Sequence, residues 1–263
     1  MRGGGTTARV TVIIQARMGS TRLPGKTLAD ICGKPLLAHV IQRVLASHLV
    51  REVVVATTPE PADVPIIRLS KEYGASTYVG SIEDVLDRFY QAARIAGAET
   101  IVRVTADDPF KDPAVIDEVV RRLLDDPSLD YASNTLEPTY PEGLDIEAFT
   151  FSALERAWKE ASLQSDREHV TPYIWRNPQD FRIASVRHSS DLSSLRWTID
   201  YEPDLLFARE IYARLYRGQV FLMPEILALL ASEPCLADIN SGFERNVGYL
   251  ASLEKERLER KAP

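Results

Sequence analysis

The order of apolar runs predicts an α/β protein with a mostly parallel central sheet flanked by helices, in a single domain spanning residues 1–263. Three observations carry this expectation. Short runs rich in β-branched residues alternate with amphipathic helical patterns through the first half, the mark of βαβ units. The chain of 263 residues is 45% hydrophobic, enough to bury one large core. No internal repeat and no low-complexity linker divides it.

Val10 to Gln15 is the first strand, and Pro35 stands at a first-turn position before a helix whose apolar face is Leu36, Leu37, Val40, Ile41, Val44 and Leu45. A second strand follows at 53–57, a helix at 62–73 and a short strand at 77–79. The helix at 81–96 opens with Ser81 and Asp84, residues suited to a helix N-terminus. Strand 101–105 delivers Asp107 and Asp108 to its carboxyl end, and Asp112-Pro113 opens another amphipathic helix. The second half is less regular. Strands are expected near 129–132, 146–149, 182–186 and 196–199, with helices at 152–162, 167–176, 203–216 and 224–231. The tail 243–263 is charged and helix-prone, either a solvated end or a dimer contact.

Composition excludes several classes. A net charge of -7 and a pI near 5.3, with no long basic stripe, argue against a nucleic-acid binder. No run of about 18 apolar residues offers a membrane span, and the opening MRGGGTTAR lacks the apolar stretch of a secretory signal, so a cytoplasmic protein is expected. Cys32 and Cys235 have neither metal-ligand nor C-x-x-C spacing and are expected to be buried or incidental.

Against that acidic background, residues 13–28 read IIQARMGSTRLPGKTL with no Asp or Glu from Met1 to Ala29. Arg17, Arg22 and Lys26 supply fixed cations, Gly19 and Gly25 allow close backbone approach, and Ser20 and Thr21 add hydroxyls. Such a loop suits a polyphosphate. It is neither a Walker loop, since Ser20 stands where the first glycine is required, nor a dinucleotide fingerprint. Pro24 biases Leu23 toward an extended path, giving a stiff open lasso. Parallel sheets bind ligands at the carboxyl ends of their strands, so the cationic loop and the Asp107-Asp108 pair emerge on one edge.

The loop has the form A-R-x-G-S-x-R-L-P-x-K and, with VRVTADDPFKDP, YASNTLEPTYPEGLDIEAF, SDREHVTPYI and LRWTIDYEPDL in the same order, resembles the CMP-sugar cytidylyltransferases. The branch it looks most like is that of spore coat polysaccharide biosynthesis protein F, related to the acylneuraminate and octulosonate enzymes. The resemblance implies a Rossmann-like nucleotide-diphospho-sugar transferase fold, CTP as donor, Mg²⁺ as cofactor, an acidic sugar or related acid as acceptor, a place in surface polysaccharide biosynthesis, and a homodimer. It places metal ligands at Asp107 and Asp200. Each follows an apolar β-type run, and Mg²⁺ commonly takes one or two carboxylates with water and phosphate completing its shell. Where the family often shows Gly-Asp-Cys-Pro this chain has Ala106-Asp107-Asp108-Pro109, which leaves open whether Asp107 or Asp108 faces the metal.

In that scheme an acceptor hydroxyl attacks the α-phosphorus and pyrophosphate leaves, with Arg17, Arg22 and Lys26 neutralising the leaving group. Lys26→Ala is expected to cut pyrophosphate release with little change in melting temperature. Nucleotide contacts are expected from Gln15, Ala16, Arg17, Gly19, Ser20, Arg22, Lys26 and Arg88, with the pyrimidine read by backbone groups around residues 15–17. Arg88 alternatively forms a surface ion pair with Asp84 at helical spacing. Asp145 and Glu147 are candidates for acceptor hydroxyls or a merely solvated strand edge. Arg167, Glu168 and His169 are candidates for an acceptor carboxylate or for a structural helix. A glycosyltransferase of the same architecture, using a finished nucleotide sugar, is the alternative function. Such enzymes commonly carry Asp-x-Asp, whereas these two aspartates are adjacent.

Overall fold

A computed structural model describes residues 9–243 and 245–259. The expected lack of a leader at residues 1–8, and the last residues of the tail, 260–263, lie outside the described residues. Strand β1 (Val10–Gln15) is followed by a small antiparallel hairpin, β2 (Asp30–Ile31) and β3 (Lys34–Pro35), whose turn places Cys32 at φ 52° and Gly33 at φ 81°. Helix α1 (Leu36–Leu45) then leads to β4 (Glu52–Thr57), α2 (Val64–Glu72), β5 (Ser76–Val79), α3 (Val85–Ala96) and β6 (Thr100–Thr105). Pro35 ends β3 and caps α1, one residue before the first-turn position expected of it. Both Cys32 and Cys235 are exposed, so neither is buried.

Next come α4 (Pro113–Leu124), β7 (Tyr131–Ser133), β8 (Glu147–Thr150), α5 (Phe151–Glu160), α6 (Gln164–His169), α7 (Pro172–Trp175) and β9 (Ile183–Ser185). The chain closes with α8 (Glu202–Leu215), α9 (Met223–Ser232) and α10 (Val247–Glu259). The seven-stranded sheet runs β5-β4-β1-β6-β8-β7-β9 and is parallel except that β8 pairs antiparallel with both β6 and β7.

Alternation along the central strands explains the two layers. On β1, Val10, Val12 and Ile14 face a core built with α1, α4, α8 and α9, while Ile13 faces a second core built with α3, α5 and α7. On β6, Val102 and Val104 take the first side and Ile101 the second. A parallel sheet covered on both faces needs near-continuous apolar strands, and these supply them.

Two expectations about elements are corrected. The predicted helix 167–176 is two short helices, because Val170 adopts φ 72° and Pro172 starts a new turn. The predicted strand at 196–199 makes a single bridge, Arg196 with Glu142, and otherwise runs as an extended segment outside the sheet. That segment is held close by Gly143, at φ 102°, where an added Cβ would lie 2.6 Å from the Trp197 carbonyl carbon.

Candidate active site

A cleft of about 550 Å³ opens at the carboxyl ends of β1 and β6. Its first wall is the loop after β1. The Thr27 hydroxyl donates to the Arg17 carbonyl at 2.8 Å, closing the lasso, and Gly25 turns it at φ 76°. The fully buried Asp63, from the β4–α2 turn, anchors the base by accepting the Met18 N–H at 2.7 Å and hydroxyls from Thr57 and Thr58.

Lys26 leaves the lasso inward. Its ammonium, on a residue only 9% exposed, donates to Asp107 Oδ2 at 2.7 Å, Asp200 Oδ1 at 2.9 Å and the Ile199 carbonyl at 2.6 Å. Two aspartates far apart in sequence thus converge on one cation. The Ile199 N–H donates to the Asp107 carbonyl at 2.9 Å, which ties the extended 196–200 segment to the end of β6. Asp200 is shared further, with Arg22 Nη2 at 2.5 Å and Arg196 Nη2 at 3.2 Å. It does not cap α8. Asp204 takes that task, accepting the N–H groups of Asp200 and Tyr201 at 2.9 Å each, and so leaves the Asp200 carboxylate facing the cleft.

The two adjacent aspartates occupy different surroundings. Burial pushes the Asp107 carboxyl up, but the Lys26 charge and hydrogen bond outweigh it and hold the group at about 2. Asp108 is 4% exposed and spends its carboxylate on the Thr105 hydroxyl at 2.7 Å and the buried Lys111 ammonium at 2.8 Å. Burial dominates there and raises its pKa. Lys111 also donates to the Asp145 carbonyl at 2.5 Å, so this inner pair braces the loop that carries Asp145.

Of the sequence candidates, Gln15, Ala16, Arg17, Gly19, Ser20, Arg22, Lys26, Asp107, Asp200, Asp145, Glu147, Glu168 and His169 all line the cleft. Arg17 is exposed and has no ion-pair partner among the described residues. The backbone around residue 15 is largely committed, since the Ala16 N–H donates to Ala56 and the Gln15 carbonyl accepts from Ala106. Gln15 Oε1, by contrast, is buried without a partner.

Arg88 and Arg167 lie away from the cleft lining. Arg88 is 2% exposed within α3 and donates to the Ser81 carbonyl at 2.7 Å, so it is neither a cleft residue nor a surface partner of Asp84. Burial is the main cause that lowers its guanidinium pKa to about 10, with Arg17 nearby adding to it. Arg167 takes the place beside Asp84 instead. It forms a forked pair with that carboxylate at 2.5 to 3.1 Å and donates to the carbonyls of Trp158 and Ala161, a strut between α3 and α6.

Asp145 pairs with Arg245, and Glu147 accepts from Arg103 at 2.5 Å, from the Tyr131 hydroxyl at 2.7 Å and from Thr171. Glu147 is 6% exposed, which rules out a solvated strand edge. His169 bonds Ser252 at 3.0 Å and stacks edge-on with Tyr249. Burial first, then Arg103, lowers its pKa to about 4 and keeps the ring neutral near pH 7. The tail folds back as α10 along α6, and residues 246–249 form part of the cleft wall. Neither that wall nor Arg103 is among the sequence candidates. Arg103 carries a signal in hindsight, a lone charge inside an apolar strand that ends at the ligand edge.

As to a metal, the carboxylates of Asp107 and Asp200 are hard oxygen donors already converging on one cation, the Lys26 ammonium. That donor set fits Mg²⁺, which needs no more than one or two carboxylates from the protein. Among the described residues no group of three or more acid, His or Cys side chains forms a protein-only cage. No helix among them is long and apolar enough to cross a membrane.

Comparisons with known proteins place the chain in a family. The cytidylyltransferase family model matches residues 11–223. Spore coat polysaccharide biosynthesis protein SpsF of Bacillus subtilis is 30% identical over 232 residues, 86% of this chain and 95% of that protein. A 3-deoxy-manno-octulosonate cytidylyltransferase of Geobacter sulfurreducens is 43% identical over 122 residues, 46% of this chain and 47% of that enzyme. A solved cytidylyltransferase structure from Leptospira borgpetersenii superposes with a TM-score of 0.85 at 30% identity, covering 90% of this chain and all of that one. This chain belongs to the cytidylyltransferase family and is a nucleotidyltransferase.

Proposed function

We propose that the protein transfers CMP from CTP to an acidic sugar or related acid, releasing pyrophosphate, in the cytoplasm and in the service of surface polysaccharide biosynthesis. The observation that carries this reading is the convergence of Lys26, Arg22, Asp107 and Asp200 at one sheet edge, beneath a lasso that also presents Arg17. An acceptor oxygen attacks the α-phosphorus in line, the bond from that phosphorus to the bridging β-phosphate oxygen breaks, and the hydroxyl proton passes to water in the open cleft. Arg17, Arg22 and Lys26 stabilise the charge that grows on the pyrophosphate. Asp107 and Asp200 would hold Mg²⁺, which when bound supplies charge neutralisation at phosphate oxygens. Gln15 Oε1, a buried acceptor at the cleft edge, suits the exocyclic amino group of cytosine.

The test is pyrophosphate release from each of the four nucleoside triphosphates, with a panel of nonulosonic acids, octulosonic acids and phosphonates as acceptors. CTP alone should give release, and only with an acceptor present. Asp107→Asn and Asp200→Asn should each raise the Mg²⁺ requirement or abolish turnover. Mg²⁺ titrations equal to the parent's would reject the metal assignment, and release of a nucleoside diphosphate from a nucleotide sugar would reject the transfer itself. A homodimer is part of this reading, and the mass in solution tests it.

A further inference from the structure

The inner half of the cleft holds a cation most of whose hydrogen-bonding capacity is unused among the described residues. Arg103 projects from the middle of β6 on the face it shares with Thr105, two residues farther from the strand's carboxyl end and so deeper in the cleft. Its Nη1 donates to Glu147. Its Nε is buried and has no acceptor among the described residues, and the one hydrogen bond its guanidinium makes to them is from Nη1 and not Nη2. Nε–H and Nη2–H lie along one edge of the planar guanidinium, the edge that grips a carboxylate with two parallel bonds. A buried donor left without a partner is costly, and on a side chain that lines the cleft an acceptor from outside the chain would relieve that cost.

The nearby acids do not compete for that edge. Glu142 pairs with Arg196, Asp145 with Arg245, and Glu147 already takes Arg103 Nη1 together with two hydroxyls. Glu168 accepts the Ser252 hydroxyl at 3.0 Å. Trp175 and Tyr249, whose rings meet edge to face at 5.8 Å, complete an aromatic wall at the same end of the cleft. The phosphate-binding cations all stand on the lasso at the other end. The cleft thus carries cations at both ends, those of the lasso at one and Arg103 beside an aromatic wall at the other.

We propose that the Nε–Nη2 edge of Arg103 holds the carboxylate of the acceptor acid, whose carbon skeleton lies against Trp175 and Tyr249. This assignment rests on the cytidylyl-transfer reading and names the acceptor pole of that site. Arg103 binds substrate; it is not required to touch the reacting phosphorus.

The test uses Arg103→Lys, which keeps a cation for Glu147 but has no two-pronged edge, with Arg103→Gln as a second variant. Pyrophosphate release is followed for a nonulosonate, 3-deoxy-manno-octulosonate and a phosphonate, each beside its methyl ester. The parent should prefer its best acid over the ester at least tenfold in kcat/KM. Arg103→Lys should raise KM for the acid tenfold or more, leave KM for CTP within twofold, and shrink the acid-over-ester preference to near unity. If the lysine variant fails to fold, Arg103→Gln is read in the same way, and misfolding of both overturns the proposal by making the residue structural. Turnover of an acid by the parent with an unchanged preference in Arg103→Lys refutes the Arg103 assignment and leaves the transfer reading intact. Absence of turnover with every acid, while CTP still binds, removes the acidic acceptor and this proposal with it.

Discussion

Lys26→Met removes an ammonium that is 9% exposed and donates to three oxygens at once. As a loop residue it was expected to cost little stability, but burial reverses that expectation. Breaking a buried ion pair by deleting one partner typically costs about 3–5 kcal/mol, because the other charge is left uncompensated. Asp200 keeps Arg22 and Arg196, so Asp107 is the carboxylate that is stranded. A loss of roughly 2–4 kcal/mol near neutral pH follows from that partial compensation. In a chain of this size such a loss lowers the melting temperature by on the order of 10 °C.

The sign of the pH dependence gives the sharper check. In the parent, Asp107 sits at about 2 against an ordinary value of 3.8, so it contributes stability above pH 3.8 that is lost as pH falls toward 2. The size of that contribution is about 2 kcal/mol. In Lys26→Met burial is opposed only by the hydrogen bonds from Thr105 and the backbone, and the Asp107 carboxyl moves up. The variant is then most penalised near pH 7, and the gap to the parent narrows as the carboxyl protonates. Urea unfolding from pH 7 down to pH 3 measures this. The double variant Lys26→Met/Asp107→Asn should recover at least half of the lost stability at pH 7. A gap that does not vary with pH, or a melting temperature equal to the parent's, would refute the argument.

Arg167→Leu should destabilise the fold by about 2–3 kcal/mol, since it strips the charged fork from Asp84 and two carbonyls. KM for CTP and for the acceptor, measured well below melting, should stay within twofold; a selective rise in acceptor KM would return Arg167 to the site. His39 is buried, its ring nitrogen bonds the Ile31 carbonyl at 2.8 Å, and burial lowers its pKa to about 4. The unfolded chain protonates this ring near 6.5 and the folded one does not, so stability falls as pH drops from 6.5 to 4, by about 3 kcal/mol. His169 adds in the same direction. His39→Gln should flatten part of that slope in urea midpoints at pH 7.5 and 5, and a parent already flat across the window would contradict the assignment.

The first half of the fold was legible because its signals are local. The apolar runs at Val10–Gln15, Glu52–Thr57 and Thr100–Thr105 are strands whose two faces are both buried, and β-branched content marks such strands without any partner in view. The lasso was legible for a related reason, since fixed charges and glycines needed for anion binding sit within one short stretch. The Arg196–Ile199 run misled because β-type composition reports burial and not pairing. Its apolar side chains are buried beside Gly143, while its backbone bonds go to Glu142 and Asp107 and not to a sheet neighbour.

What was hidden depended on which charge meets which. Arg88 and Arg167 both occupy helices, and spacing alone offers Asp84 as a neighbour for Arg88. The structure gives Asp84 to Arg167 across 83 residues, and buries Arg88 against Ser81 instead. Asp84 is the N-cap of α3 and lies outside the helix, with its carboxylate taken by the Asp87 N–H and Arg167, so the helical spacing to Arg88 does not apply. The pairing of Asp107 with Asp200 is the opposite case. It depends on a backbone bond from Ile199 to Asp107 that no side chain announces, and it brings Asp107 and Asp200 to the same Lys26 ammonium. The family resemblance supplied the acidic pair where geometry could not be read, whereas the inner arginine of β6 was passed over as part of an apolar strand.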